Sequence, residues 1–204
     1  MSNPTAPRGH RTRVRREASA APVRLPFDGR IGTLARNEQV TYSVNDGQYD
    51  QYDYTVEEKH PCGTEDAQFI LSRSAGGYHV PVLDLDFPVE LGHASGGLQE
   101  LTLTLTTTSR QRRAISGALT RAGLALSFLA DGPHVARTVT FHMDAPAEVH
   151  PSKTPGHHHL YIDQLMTWRQ YKRLLRALAR AGVLEKAWVR TSIKSGGTFA
   201  RVYR

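Results

Sequence analysis

One segment constrains the fold of this chain more than any other: Thr167–Ala181, reading TWRQYKRLLRALARA. Trp168, Tyr171, Leu174, Leu175 and Leu178 recur at helical spacing and make a single apolar stripe. Thr167 is placed to cap this helix and Gly182 to end it. An apolar stripe of that kind must bury itself against another layer, so the chain has to supply a sheet or a second helix beneath it. The other face carries Arg169, Lys172, Arg173, Arg176 and Arg180, and the segment contains no acid. Like charges three and four residues apart cost about a few tenths of a kcal/mol per pair, so an anionic partner explains this face better than helix stability does.

Other segments offer the missing layer. Leu98–Thr108 alternates Leu101, Leu103 and Leu105 with threonines, which predicts a strand with one wet face. Ser109 opens a helix running to about Ala122, with Ile115, Ala118, Leu119 and Ala122 on one stripe and Gly123 as its stop. Arg137–Met143 and His157–Ile162 read as strands joined by a proline-rich connection, and Val189–Tyr203 alternates around Gly196-Gly197 as a closing hairpin would. From Leu101 the order is then β-α-β-β-α-β, the RRM/ferredoxin-like arrangement of an antiparallel sheet with two helices. Upstream, Val40, Tyr42 and Val44 alternate before Asn45-Asp46-Gly47, predicting an N-terminal hairpin, and Tyr78–Phe87 (YHVPVLDLDF) reads as one buried strand. The expectation is a single α+β domain over residues 27–204, preceded by a disordered basic arm over 1–26 with four prolines and the cluster Arg8, Arg11, Arg13, Arg15 and Arg16.

Charge is distributed unevenly. The net +7 resolves into +6 over residues 1–36, −8 over 37–149 and +9 over 150–204. Twenty-one of the 26 basic residues are arginine, whose planar fork suits phosphate. Positive ends on an acidic middle point to a polyanionic partner, with nucleic acid, DNA or RNA, the first expectation. No run reaches the roughly 18 apolar residues that cross a bilayer, and the basic N-terminus is not followed by an apolar stretch of an export signal. With Cys62 the single cysteine, no intrachain disulfide can form, and a reducing cytoplasm is the expected setting. Cys62 itself reads as an ordinary loop or buried thiol.

Two motifs can carry chemistry. In VPVLDLDFP, Asp84 and Asp86 alternate along a strand and share a face, an arrangement that chelates Mg²⁺ or Mn²⁺ beside nucleotide phosphates. In Ser152-Lys153-Thr154-Pro155-Gly156-His157-His158-His159-Leu160-Tyr161, a turn with a lysine leads into a strand. Such a turn can meet a phosphate through its backbone N–H groups. His157, His159 and Tyr161 fall on one strand face and His158 on the other.

The strand reading hDhD followed by Ser-x-x-x-Gly-x-x-His-Leu-Tyr resembles the first two motifs of the archaeo-eukaryotic primase (prim-pol) superfamily of nucleotidyltransferases, over some twenty residues. The resemblance implies metal ligation by Asp84 and Asp86, approach of Ser152 and Lys153 to the nucleotide phosphates, and nucleotide contact by His159, with His158 the alternative by spacing; His157 and Tyr161 line the same face. It also implies an RRM-like core. The family's third carboxylate motif has no counterpart after His159, where the acids are Asp163 and Glu185. The stretch TPGHHHLYID…MTWRQYKRLLRALARAG is similar to small proteins of actinobacteria and their phages.

Two other readings compete. An HUH-type single-strand endonuclease would use His157 and His159 to hold one divalent metal and Tyr171 as nucleophile. A non-enzymatic nucleic-acid-binding protein would need only the basic helix and arm, with aromatic residues to stack bases.

Overall fold

The computed structural model describes residues 11–13, 25–44 and 52–202. Most of the expected basic arm, and the expected turn at Asn45-Asp46-Gly47, lie outside the described residues. Within the arm, β1 (Arg11–Arg13) pairs antiparallel with β2 (Thr33–Val44), and β2 pairs along its length with β3 (Tyr52–Pro61). The strand β4 (Phe69–Leu71) extends this first sheet beside β2.

The stretch expected as one strand over Tyr78–Phe87 is divided. β5 (Tyr78–His79) and β6 (Val82–Leu85) flank Pro81 and join different sheets. Proline has no N–H to give a ladder, which explains the break. β7 (Val89–His93) and β8 (Gln99–Thr108) form a hairpin, and α1 (Ser109–Arg121) follows. Thr108 caps α1 in a reciprocal box with Gln111. Then come β9 (Ala125–Ala130), β10 (Val135–Met143), β11 (Ala147–Pro151), β12 (His158–Ile162) and β13 (Met166–Thr167).

The amphipathic helix expected over Thr167–Ala181 is α2 (Trp168–Arg180), capped by Thr167 through the same kind of box with Gln170. The hairpin expected over Val189–Tyr203 is not formed. That region holds α3 (Lys186–Lys194) and the single strand β14 (Phe199–Arg201), which pairs with β4. Val189 and Ser192, both buried, sit three residues apart on one helical face, so packing against the α2 layer prevails over the alternation.

The architecture is α+β, with antiparallel pairing throughout the described sheets. A four-stranded sheet has the order β7-β8-β10-β9, with α1 crossing from β8 to β9. The order read from Leu101 placed His157–Ile162 and the last strand in this sheet. Instead, β7 occupies the place beside β8, and β12 joins β11 and β6 in a separate three-stranded sheet of order β11-β12-β6.

That small sheet sits between two cores. Leu83, Leu85, Leu160 and Ile162 enter the larger one, with Leu101, Phe141, Ile115 and Leu175 from the four-stranded sheet and the helices. Val82 and Tyr161 point the other way, into a smaller core with Ile31, Ile70, Val80 and Ala200. At about 25 cal/mol per Å² of apolar surface, burying side chains of this size contributes about 1.5–3 kcal/mol each, so both faces of the small sheet are firmly set. The carboxylate-bearing positions follow from this alternation.

Candidate functional site

The face of the small sheet that carries Val82 and Tyr161 also carries Asp84, Glu148, His150 and His159, because side chains alternate along each strand. The register seats His159 opposite Asp84, Tyr161 opposite Val82, His150 opposite His159 and Glu148 opposite Tyr161. The two sequence motifs, some 65 residues apart, therefore meet on adjacent strands. His159 Nε2 lies 3.6 Å from Asp84 Oδ1, and His157 Nδ1 lies 2.9 Å from Asp86 Oδ1. His150 Nε2 lies 2.9 Å from Glu148 Oε2, whose other oxygen accepts a 2.9 Å hydrogen bond from the Phe27 amide. Of these three histidine–carboxylate pairs, Asp84–His159 crosses between β6 and β12, Glu148–His150 runs along β11, and Asp86–His157 lies just beyond the ends of β6 and β12.

Burial grades these pairs. The side chain of His159 is 9% exposed and that of Asp84 is 36% exposed, whereas Asp86 is 55% exposed at the rim. Burial raises the Asp84 carboxyl above its ordinary value, against the opposing pull of His159 and with help from Asp86. Burial likewise lowers His159, more than Asp84 raises it, and neighbouring His150 lowers it further. The imidazole of His159 is therefore neutral at pH 7, and its Nδ1 is buried with no hydrogen-bond partner, although the Arg201 backbone acts on the ring. The rings of His150 and His159 pack edge-on against Tyr161, at centroid separations of 5.4 and 6.4 Å.

The remaining motif residues are distributed as follows. Ser152 and Lys153 lie in the turn between β11 and β12, where the Ser152 amide donates to the His157 carbonyl and the His157 amide to the Thr154 carbonyl. These two N–H groups close the hairpin and do not face a ligand. Lys153 is exposed. Tyr161 is 1% exposed, and burial raises its hydroxyl well above the usual range, so its ring packs the smaller core and has no face open to a base. His158 lies opposite Leu85 and its Nδ1 meets the Phe87 carbonyl at 3.2 Å, away from the carboxylates.

Tyr171 corrects the endonuclease reading. Its ring is fully buried, and its hydroxyl bonds the Val82 amide and carbonyl at 3.0 Å and Thr198 Oγ1 at 2.6 Å. Burial raises its ionisation far above neutral pH. A phenol so placed is a structural strut and cannot attack a phosphodiester. His157 and His159 each turn a ring nitrogen toward a carboxylate, which also departs from a bare two-histidine metal site.

Asp84 and Asp86 offer oxygen donors of the kind Mg²⁺ and Mn²⁺ take. Among the described residues, however, no group of three or more His, Cys, Asp or Glu side chains is disposed to hold a metal ion.

The second surface is helical. The segments of α1, α2 and α3 contain twelve Lys and Arg residues and no Asp or Glu. Arg169, Arg173, Arg176 and Arg180 are exposed along α2, while Lys172 is half-buried with its ammonium 5.4 Å from the Trp168 ring centroid. Arg112 is buried and bonds the Thr107 and Pro133 carbonyls, so it belongs to the scaffold. Between α1 and α2 runs a groove of about 510 Å³, with Arg121 on one side and Arg173, Arg176 and Arg180 on the other.

Sequence reasoning missed Glu148 and His150, whose strand was read as a connection, and Arg121. The alternation Ala147-Glu148-Val149-His150 and the absence of acids from α1 were the available signals. No helix among the described residues is long and apolar enough to cross a membrane. Searches against protein-family models, curated proteins and solved structures find no match.

Proposed function

We propose that this chain is a nucleic-acid-associated protein that meets the polyanion with its helical layer. The observation that supports this most directly is the complete absence of acids from three helices that carry twelve basic residues. The exposed arginines of α2 make no ion pair with any described residue, so their positive potential is uncompensated. Guanidinium forks match phosphate oxygens in pairs, which makes arginine the suited residue for this task. A cytoplasmic setting accords with such a partner. The test is a titration of labelled DNA and RNA at several salt concentrations. Log affinity should fall linearly with log salt, with a slope of about −0.9 per duplex phosphate neutralised. Absence of binding, or binding indifferent to salt, defeats the proposal.

A second reading is favoured by one observation, the register that brings His159 to Asp84 and His157 to Asp86. It is a primase-polymerase-like site for nucleotidyl transfer. Asp84 and Asp86 would hold Mg²⁺ or Mn²⁺ together with the phosphates of a bound nucleotide, and His159 and His157 would orient the two carboxylates. Such an ion would supply charge neutralisation at the phosphoryl group. Lys153, exposed in the adjoining turn, adds a cation for the phosphates. The order β7-β8-β10-β9 with α1 crossing over it accords with an RRM-like half in which β7 takes the fourth place. Template-directed incorporation with Mn²⁺, lost on Asp84→Ala, is the expected result; incorporation that survives this substitution defeats the reading.

A further inference from the structure

Resting on the nucleic-acid reading, we infer that the groove between α1 and α2 seats one sugar–phosphate strand of duplex DNA and does not contact bases. Arg121 from α1 faces Arg173, Arg176 and Arg180 from α2 across this groove, so cations line both of its walls. On α2 these positions recur at intervals of three and four residues, which spaces their Cα atoms about 4.5–6 Å apart along the helix axis. A row with that spacing follows a phosphate chain. Arg121 is seated for the task by Gly117, since a side chain there would come within 3.1 Å of the Arg121 guanidinium.

The floor explains why the occupant is backbone. Between the arginines its lining is largely apolar, with Ala118, Ala122 and Ala177 from the helices and Leu165, Met166 and Leu174 beside them, a surface the C–H face of a deoxyribose can pack against. No aromatic side chain lines the groove. Proteins that hold single strands add aromatic platforms on which bases stack, worth about 1–3 kcal/mol per base. A groove without them leaves unpaired bases unsupported, whereas a duplex keeps its bases stacked on one another and needs only its phosphates held. An acidic amphipathic peptide is the rival occupant, and continuous phosphate is favoured because the cations are all guanidiniums, three in file on α2 and Arg121 across from them.

The test compares one DNA sequence as duplex and as single strand by fluorescence anisotropy, between about 50 and 200 mM salt. Wild type should prefer the duplex. Arg173→Gln combined with Arg176→Gln should reduce the salt slope by about 1.8, and Arg137→Gln, on an exposed position of β10, should leave it unchanged. Thermal melts of the variants check that the fold persists. Preference for the single strand, an equal loss of slope in the Arg137→Gln control, or tighter capture of a polyglutamate peptide than of DNA overturns the groove while leaving the wider reading intact. If no nucleic acid binds at all, both fall.

Discussion

Tyr171 is the residue on which two cores depend. Its hydroxyl both receives from and donates to the backbone of Val82 while meeting Thr198, tying α2 to the strand that carries Asp84. Tyr171→Phe keeps the ring and removes these bonds. Leaving buried partners unsatisfied costs about 1–3 kcal/mol, so urea unfolding should show a lower midpoint with an unchanged slope. An unchanged midpoint would contradict the strut. Histidines give a second prediction at this scale. His79, stacked on Trp168, and His159 are both lowered from the ordinary value of 6.5 by burial, with the cation Arg73 also acting on His79. The unfolded chain therefore takes up more protons than the folded one as pH drops below about 6.5, and stability falls with it. Asp84 acts in the opposite sense at more acidic pH, since its raised carboxyl protonates more readily in the fold than its ordinary value of 3.8 allows. The melting temperature should decline from pH 7.5 toward about 5.5, and a flat or rising profile would contradict these burials.

At the scale of elements, α2 was legible because its pattern is local. Thr167 caps it through Gln170, and Gly182, at a φ of +81°, ends it with its amide bonded to the Ala179 carbonyl. Thr167→Ala should lower stability by about 1 kcal/mol, read from a denaturant midpoint, and a change within error would show the cap to be dispensable. The strands β8, β10 and β12 were legible for the same reason, since apolar alternation declares a half-buried strand. What escaped was decided elsewhere in the molecule. The stretch from Val189, read as the first strand of a hairpin over Val189–Tyr203, falls instead within α3, which lies next to the α2 layer and whose buried residues suit a helix. Pro81 was visible, but its effect depended on β5 finding β13 and β6 finding β12 as separate partners. Glu148 and His150 sit on a five-residue strand with Pro146 before it and Pro151 at its end, and those prolines made its brief alternation read as a connection.

At the scale of the whole molecule, the segmental charge count becomes a division by layer. The three helices carry no acid, although α1 belongs to the acidic middle of the chain, and the acids lie on strands and loops, where several are paired with Arg36 or with histidines. The face shared by Asp84 and Asp86, and that shared by His157 and His159, were legible from alternation within each motif; that the two motifs meet was only what the primase-like resemblance required, and the pairing of β6 with β12 decides it. The two-sided arginine groove was not, since Arg121 and Arg173 lie far apart in sequence and become neighbours only through the packing of α1 on α2. The central claim, that the helical layer is the surface that meets nucleic acid, is tested most directly by mapping backbone amide NMR shifts during titration with a short DNA duplex. Shifts concentrated in α1 and α2, and small on the outer face of β9 and β10, are the predicted result. Shifts confined to the β2–β3 hairpin or to the four-stranded sheet would contradict it.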